Sequence, residues 1–177
     1  MAPVDEVVYE STRLRLRPLR LSDIEEVAAM VADPEQMRFY GQPKSKSEAD
    51  DWLSRNLALY DRYGFGTWCM ELGDGRFLGY CGIRPLQLDE PEVELAWHVK
   101  KGMWGQGLGT EAAQAALRLG LNRFGLPSLV AMIHPENAPS LRIAKRLGMA
   151  RERQLMHFGQ PTILYRTSRQ PLHTPIA

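Results

Sequence analysis

The sequence predicts a mixed α/β fold, with helices packed on a central sheet. Three observations carry that prediction. Strand-like and helix-like patterns alternate from one end of the 177 residues to the other, with no repeat, low-complexity tract or linker. Residues 128–134 (SLVAMIH) are almost continuously apolar, as a strand buried on both faces is. Residues 92–99 (EVELAWHV) read as a strand that enters a glycine-dense turn and then a strongly amphipathic helix.

The elements follow in order. Residues 12–17 (TRLRLR) set Leu14 and Leu16 on one face and arginines on the other, a half-buried strand. Ser22-x-x-Glu25 reads as a capping box, and Ile24, Val27, Ala28 and Val31 continue at helical spacing until Asp33-Pro34. A second box, Ser47-x-x-Asp50, opens a helix carrying Trp52, Leu53, Leu57 and Tyr60, stopped by Gly64. Residues 67–72 and 76–83 read as a hairpin around Gly73-Asp74-Gly75. After the strand at 92–99, a helix is expected from Thr110 to Phe124, with Gly125 as its C-cap. The apolar strand 128–134 comes next, then a short helix over 139–147 ending at Gly148, and two strands near 149–158 and 162–168. The whole of 1–177 is expected to be one domain, with 169–177 as a loose tail.

Composition excludes several function classes. Hydrophobic residues make up 44% and charged residues 24%, an ordinary globular balance. Lys+Arg number 22 against 21 Asp+Glu, so the net charge of +1 offers no footprint for nucleic acid or an anionic membrane. No apolar run approaches the roughly 20 residues of a membrane helix, and the N-terminus lacks a signal peptide's apolar core. Cys69 and Cys81 form no disulfide framework, which points to a reducing cytoplasm. His98, His134, His157 and His173 have no spacing resembling a metal site. Trp52, Trp68 and Tyr60 fall at apolar positions and are expected in the core, and the two cysteines are expected as buried thiols on adjacent strands.

Chemistry concentrates in the turn from Gly102 to Thr110, which holds four glycines before a helix start. Glycine lets the backbone adopt positive φ and approach a ligand, and the free N–H groups of a first helical turn make an anion site. Two familiar phosphate loops fail here. A Walker loop requires Lys-Ser/Thr where Leu108-Gly109 stand, and a dinucleotide fingerprint read from Gly105 meets Thr110 in place of its third glycine. The remaining alternative is a tight turn with packing glycines.

The run Trp104-Gly105-Gln106-Gly107-Leu108-Gly109-Thr110-Glu111-Ala112 resembles the acetyl-CoA pyrophosphate loop of the GNAT acyltransferase superfamily. It is most similar to the branch that holds bacterial ribosomal-protein N-terminal acetyltransferases, where a Trp commonly precedes a Gly-x-Gly core. Asn137-x-x-Ser140 before Lys145-Arg-Leu-Gly-Met149 resembles a second block of that branch. The resemblance covers roughly residues 10–168 in element order.

That resemblance implies a mixed, mostly antiparallel sheet, flanked by about four helices and splayed between its fourth and fifth strands, here 93–99 and 128–134. It implies acetyl-CoA as cosubstrate, no metal, and direct transfer to a primary amine, either a peptide N-terminus or a small molecule. It places the backbone amides from Trp104 to Thr110 (Gly105, Gln106, Gly107, Leu108 and Gly109 between them) on the pyrophosphate, and the Val99 amide on the thioester oxygen. Asn137 is carried over as a contact to the cofactor arm. Met37, Phe39 and Tyr40 fall where the branch shapes its acceptor pocket, with core packing as the alternative, and homodimers are common in that branch.

Acetyl transfer to an amine needs a base, because amines near pKa 10.4 are protonated at neutral pH, and the departing thiolate gains from a proton donor. Glu94 shares a strand face with Ala96 and His98 and is the candidate base; the alternative is a surface carboxylate. Most of the superfamily carries its acid, a tyrosine, where Ala144 stands here, so Ser140 becomes the candidate acid, with helix capping as the alternative. Two other functions stay open. One is a non-catalytic acyl-CoA-binding module. The other is a succinyl transferase, for which Arg38 and Arg84 would supply a cationic pocket.

Overall fold

A computed structural model describes residues 7–168, and the expected tail at 169–177 lies outside them. Eight strands form one sheet: β1 (Tyr9–Glu10), β2 (Arg15–Pro18), β3 (Thr67–Glu71), β4 (Phe77–Gln87), β5 (Pro91–Val99), β6 (Ser128–Ile133), β7 (Ala150–His157) and β8 (Gln160–Ser168). Their spatial order is β1-β2-β3-β4-β5-β6-β8-β7. Neighbours are antiparallel except β5 and β6, which are parallel and meet at a single pair, Glu94 opposite Val130. Beyond it the two strands part, as expected of this sheet.

Five α-helices cover the sheet: α1 (Ile24–Ala32), α2 (Pro34–Met37), α3 (Lys46–Tyr63), α4 (Leu108–Arg118) and α5 (Ala138–Arg146). One more than expected appears because Asp33 caps a separate single turn, α2, by accepting from the Glu35 and Gln36 amides. On one sheet face Leu14, Leu16, Trp68, Ile83 and Leu95 pack under Ala112 and Ala116 of α4 and Ala144 of α5. On the other, Leu19, Cys69 and Phe77 pack under Val27 and Val31 of α1 and Leu53 of α3. The two cysteines thus lie on adjacent strands but in opposite layers. Burial pushes both thiols up, Cys69 to about 12 and Cys81 further.

Both expected capping boxes are displaced. Before α1, Asp23 and not Ser22 closes the turn, accepting from the Arg20 amide at 2.8 Å. Asp23 is held there by a buried bidentate pair with Arg17, whose Nε also bonds Glu71 at 2.7 Å. At α3 the box is Ser45 with Glu48, two residues early, and it leaves Ser47 inside the helix. The helix expected from Thr110 starts at Leu108 and leaves α geometry at Leu119, where a π-helical turn carries the chain to Arg123. Gly120 sits in that turn, and a Cβ there would come within 2.8 Å of Leu129 on β6. The wider turn therefore presses directly onto the central strand.

Candidate active site

The site is built from the register of β4 on β5. Tyr80 stands opposite His98, Gly82 opposite Ala96 and Arg84 opposite Glu94, so all six share one face. That face looks toward α1 and α3 over a cavity of about 890 Å³. The cavity reaches across the β5–β6 opening to Asn137 and Ser140 at the start of α5.

Glu94 is buried, and its Oε2 accepts from Arg84 Nε at 2.8 Å. The surface-carboxylate alternative is therefore not realised: Glu94 lines the cavity as half of an ion pair. Met37, Phe39 and Tyr40 line the same cavity. Met37 is buried against α1, Phe39 stacks on His134 at 5.1 Å between ring centroids, and Tyr40 tilts over His98 at 4.7 Å.

His98, expected on the strand face of Glu94 but given no role by the sequence, stands in this wall. Tyr80 Oη lies 2.6 Å from its Nδ1. Burial above all pushes the imidazole down from 6.5 to about 4, with the Arg84 charge adding to it, so the ring stays neutral near pH 7. Trp52 packs against the core layer under α1 and α3, as expected, but also faces the cavity. It is half-buried, lines the cavity and tilts against Tyr80 at 4.7 Å, whereas Trp68 is core as expected.

At the end of β5 the backbone is arranged by strand alternation. The Lys100 amide bonds the Leu78 carbonyl at 2.7 Å, and the register runs without a shift back to Glu94. Val99 and Gly79 are then a non-hydrogen-bonded pair, so the Val99 N–H and C=O both point away from β4, into the opening. Gly79, at φ +136°, permits this close approach, since a Cβ there would fall 2.1 Å from the His98 carbonyl.

The glycine-rich turn lies beyond Val99 and outside the lining of the cavity. Gly105 and Gly107 both take φ +78°, the left-handed region, and Gly107 is the N-cap from which α4 starts. The first amides of α4 have no carbonyl partner within the helix and remain donors. Gly109 has a different reason. A Cβ there would meet Val99 Cγ2 at 3.0 Å and Ile143 Cδ1 at 3.2 Å, so it seats the helix start against β5. Arg13, which the sequence reading did not single out, tethers the turn. Its NH1 donates to the Gln106 carbonyl at 2.9 Å and its Nε to Glu111 at 2.7 Å. Glu111 also accepts from Ser11 Oγ at 2.5 Å, so the first-turn carboxylate is neutralised beside the free amides.

Across the opening, Asn137 Oδ1 accepts the Ser140 amide and caps α5. The capping role thus falls to Asn137. The Ser140 hydroxyl is left for another partner, and it accepts from Trp97 Nε1 at 3.2 Å. Ala144 is wholly buried and brings no polar group to the cavity. Among the described residues no group of three His, Cys, Asp or Glu is placed to hold a metal ion, and no helix is long and apolar enough to cross a membrane.

Comparison with known proteins identifies the family. Residues 13–150 match the family model of the acetyltransferase (GNAT) domain. The Bacillus subtilis protein YkkB is 31% identical over 156 residues, 86% of this chain and 91% of its own length. An acetyltransferase from Agrobacterium tumefaciens superposes with TM-score 0.81 at 28% identity, covering 91% of this chain and 94% of that one. Two further structures share the fold at low identity. One is an acetyltransferase from Salmonella typhimurium that modifies the N-terminal serine of ribosomal protein L7/L12 (TM-score 0.79, 17% identity, covering 93% and 100%). The other is a spermidine N-acetyltransferase from Vibrio cholerae with CoA and spermine (TM-score 0.76, 14% identity, covering 89% and 96%). With most of its length matched by the family model and its sheet parted at the expected strands, the chain belongs to the GNAT acetyltransferases.

Proposed function

We propose that this protein moves an acetyl group from acetyl-CoA directly onto a primary amine, with Glu94 as base and Ser140 as acid. One observation carries the reading. Glu94 and Ser140 line one cavity from the two sides of the β5–β6 opening, with the free amides of the glycine-rich turn beyond Val99. Acetyl-CoA supplies the activated acyl thioester. Helix-start amides held by Arg13 suit its diphosphate, because fixed neutral donors bind an anion without a competing counterion. The Val99 N–H, free of β4, is a donor for the thioester oxygen as it gains charge. Glu94 takes a proton from the acceptor amine through water. Ser140 returns one to the departing sulfur, its own oxygen already accepting from Trp97.

The acceptor is a peptide N-terminus or a small-molecule amine. Neighbours of this fold act on either kind, so the fold alone does not choose. The succinyl alternative loses ground, since Arg84 is engaged by Glu94 and Arg38 lies over its neighbour Phe39 at 4.4 Å. The deciding experiment is a mass-shift screen of amines with acetyl-CoA and succinyl-CoA side by side. Acetylated products and no succinylated ones are expected. Binding of acetyl-CoA without turnover of any amine would instead support the non-catalytic module.

A further inference from the structure

Trp104, which opens the glycine-rich run, reaches back to the end of β5. The indole Nε1 of Trp104 donates to the Val99 carbonyl at 2.7 Å. From the other side, Gln36 Nε2 donates to the same oxygen, also at 2.7 Å. Gln36 is a buried residue of the single-turn helix α2, and Trp104 belongs to the glycine-rich turn. Two elements that share no strand pairing therefore meet on one backbone atom.

A carbonyl oxygen has two lone pairs, and both are used here. An exposed strand edge ordinarily presents alternating donors and acceptors. At Val99 the acceptor is taken up by the two side chains, and only the N–H is left to the opening. An edge that offers a donor alone favours an oxygen gaining negative charge and has nothing for a competing N–H. Two hydrogen bonds of good length also fix the peptide plane that follows Val99, and with it the direction of the strand end. Fixed direction matters, because a donor to a developing oxyanion works only if it is aimed before the reaction begins.

We infer that Gln36 and Trp104 are positioning residues that clamp the Val99 carbonyl and leave its N–H as an aimed, donor-only contact for the thioester oxygen. The inference rests on the proposed use of acetyl-CoA and adds two residues that touch neither the base nor the acid. It also links the acceptor side to the cofactor side, since α2 leads directly into Phe39 and Tyr40.

The test uses acetyl-CoA labelled with ¹³C at its carbonyl, bound to the full chain without any amine. The infrared band of the bound carbonyl reads the hydrogen bond it accepts. In the wild-type protein the band should lie below its position in Gln36→Met and in Trp104→Phe, each of which removes one donor and keeps similar bulk. Turnover should fall about tenfold or more in each variant, while coenzyme A, which lacks the acetyl oxygen, binds Gln36→Met with unchanged Kd. The variants sit on different elements, so if one fails to fold the other decides. A wild-type band and wild-type turnover in a folded variant would overturn the inference and leave the proposed reaction standing. Absence of acetyl-CoA binding to the wild-type protein would remove the proposed reaction first, and the inference with it.

Discussion

Trp97 on β5 donates its indole N–H to the hydroxyl of Ser140 on α5, across the opening where the central sheet parts. A serine hydroxyl carries one proton and two lone pairs. With one lone pair filled by the indole, its proton is free to point into the cavity, and the oxygen is a better proton donor for having accepted. Ser140→Ala should therefore slow acetyl transfer and leave acetyl-CoA affinity nearly intact. An activated thioester, whose thiol has a lower pKa, should suffer less than acetyl-CoA. Steady-state rates with both donors check this, and equal losses for the two would return Ser140 to a purely structural role.

The same helix start gives a prediction that separates stability from chemistry. Asn137, not Ser140, supplies the capping oxygen of α5. Asn137→Ala should lower unfolding free energy by about 1 kcal/mol, and Ser140→Ala should cost clearly less. Urea unfolding of the two variants against wild type measures the difference. A larger loss in Ser140→Ala would show that the indole–hydroxyl bond, and not the cap, holds the helix end.

Glu94 is held on the cavity wall by Arg84, whose Nε donates to its carboxylate. If it acts as base, Glu94→Gln should reduce turnover by about 10²–10⁴-fold, mainly in kcat. The pH profile supplies the second reading. The rising acid limb of the wild-type rate should be lost or displaced in the variant. Identical profiles would assign Glu94 to the Arg84 pair alone.

The glycine-rich turn predicts ligand-linked stability. Acetyl-CoA should raise the melting temperature of the wild-type protein, by an amount equivalent to about 2–3 kcal/mol at a hundredfold excess over Kd. Gly107→Val forces a branched side chain into φ +78°, and Gly109→Val drives one into Val99 and Ile143. The double variant should lose the ligand-induced rise while remaining folded by circular dichroism. A full rise in that variant would place the cofactor elsewhere.

His98 predicts a pH dependence of stability. Its folded-state pKa is pushed down from 6.5 to about 4, by burial first and by the Arg84 charge as well, against a smaller upward pull from the Gln36 backbone. Tyr80 and Tyr40 complete its surroundings. A depressed histidine means that the unfolded chain binds the extra proton. Its contribution is thus complete above pH 6.5 and is lost progressively as pH falls toward 4, by about 1–3 kcal/mol. Chemical denaturation at pH 7 and pH 4.5 should show a smaller drop for His98→Phe than for wild type. Any cost of the lost Tyr80 contact enters at both pH values and cancels, so equal drops would mean that His98 titrates normally.

The fold and part of the site were legible in the sequence, because they depend on patterns that are local along the chain. Alternation at 92–99, the apolar run at 128–134 and the glycines of the turn each fix a backbone state by sterics and burial. Gly64, Gly125 and Gly148 all adopt the positive φ that a helix-terminating glycine allows. The parity of Glu94 with His98 likewise follows from the twofold period of a strand. Helix starts were less legible. Ser22 and Ser47 have the right residue types, but Arg17 holds Asp23 where it accepts from the Arg20 amide, and Ser45 and Glu48 form the second box.

What the sequence could not contain is the pairing of distant residues. Arg84 meets Glu94 only through the register of β4 on β5, and Trp97 meets Ser140 only because α5 crosses the parted strands. Arg13 reaches Glu111 over 98 positions of chain, and Gln36 reaches Val99 over 63. No periodicity records such contacts, since each is a consequence of the packed sheet and of the demand that buried polar groups find partners. Local patterns along the chain mark most of the strands and helices and the glycines of the turn, but not β1, α2 or the π-helical end of α4. The tertiary structure alone decided which side chains meet there, because hydrogen bonds between distant residues exist only once the chain has packed.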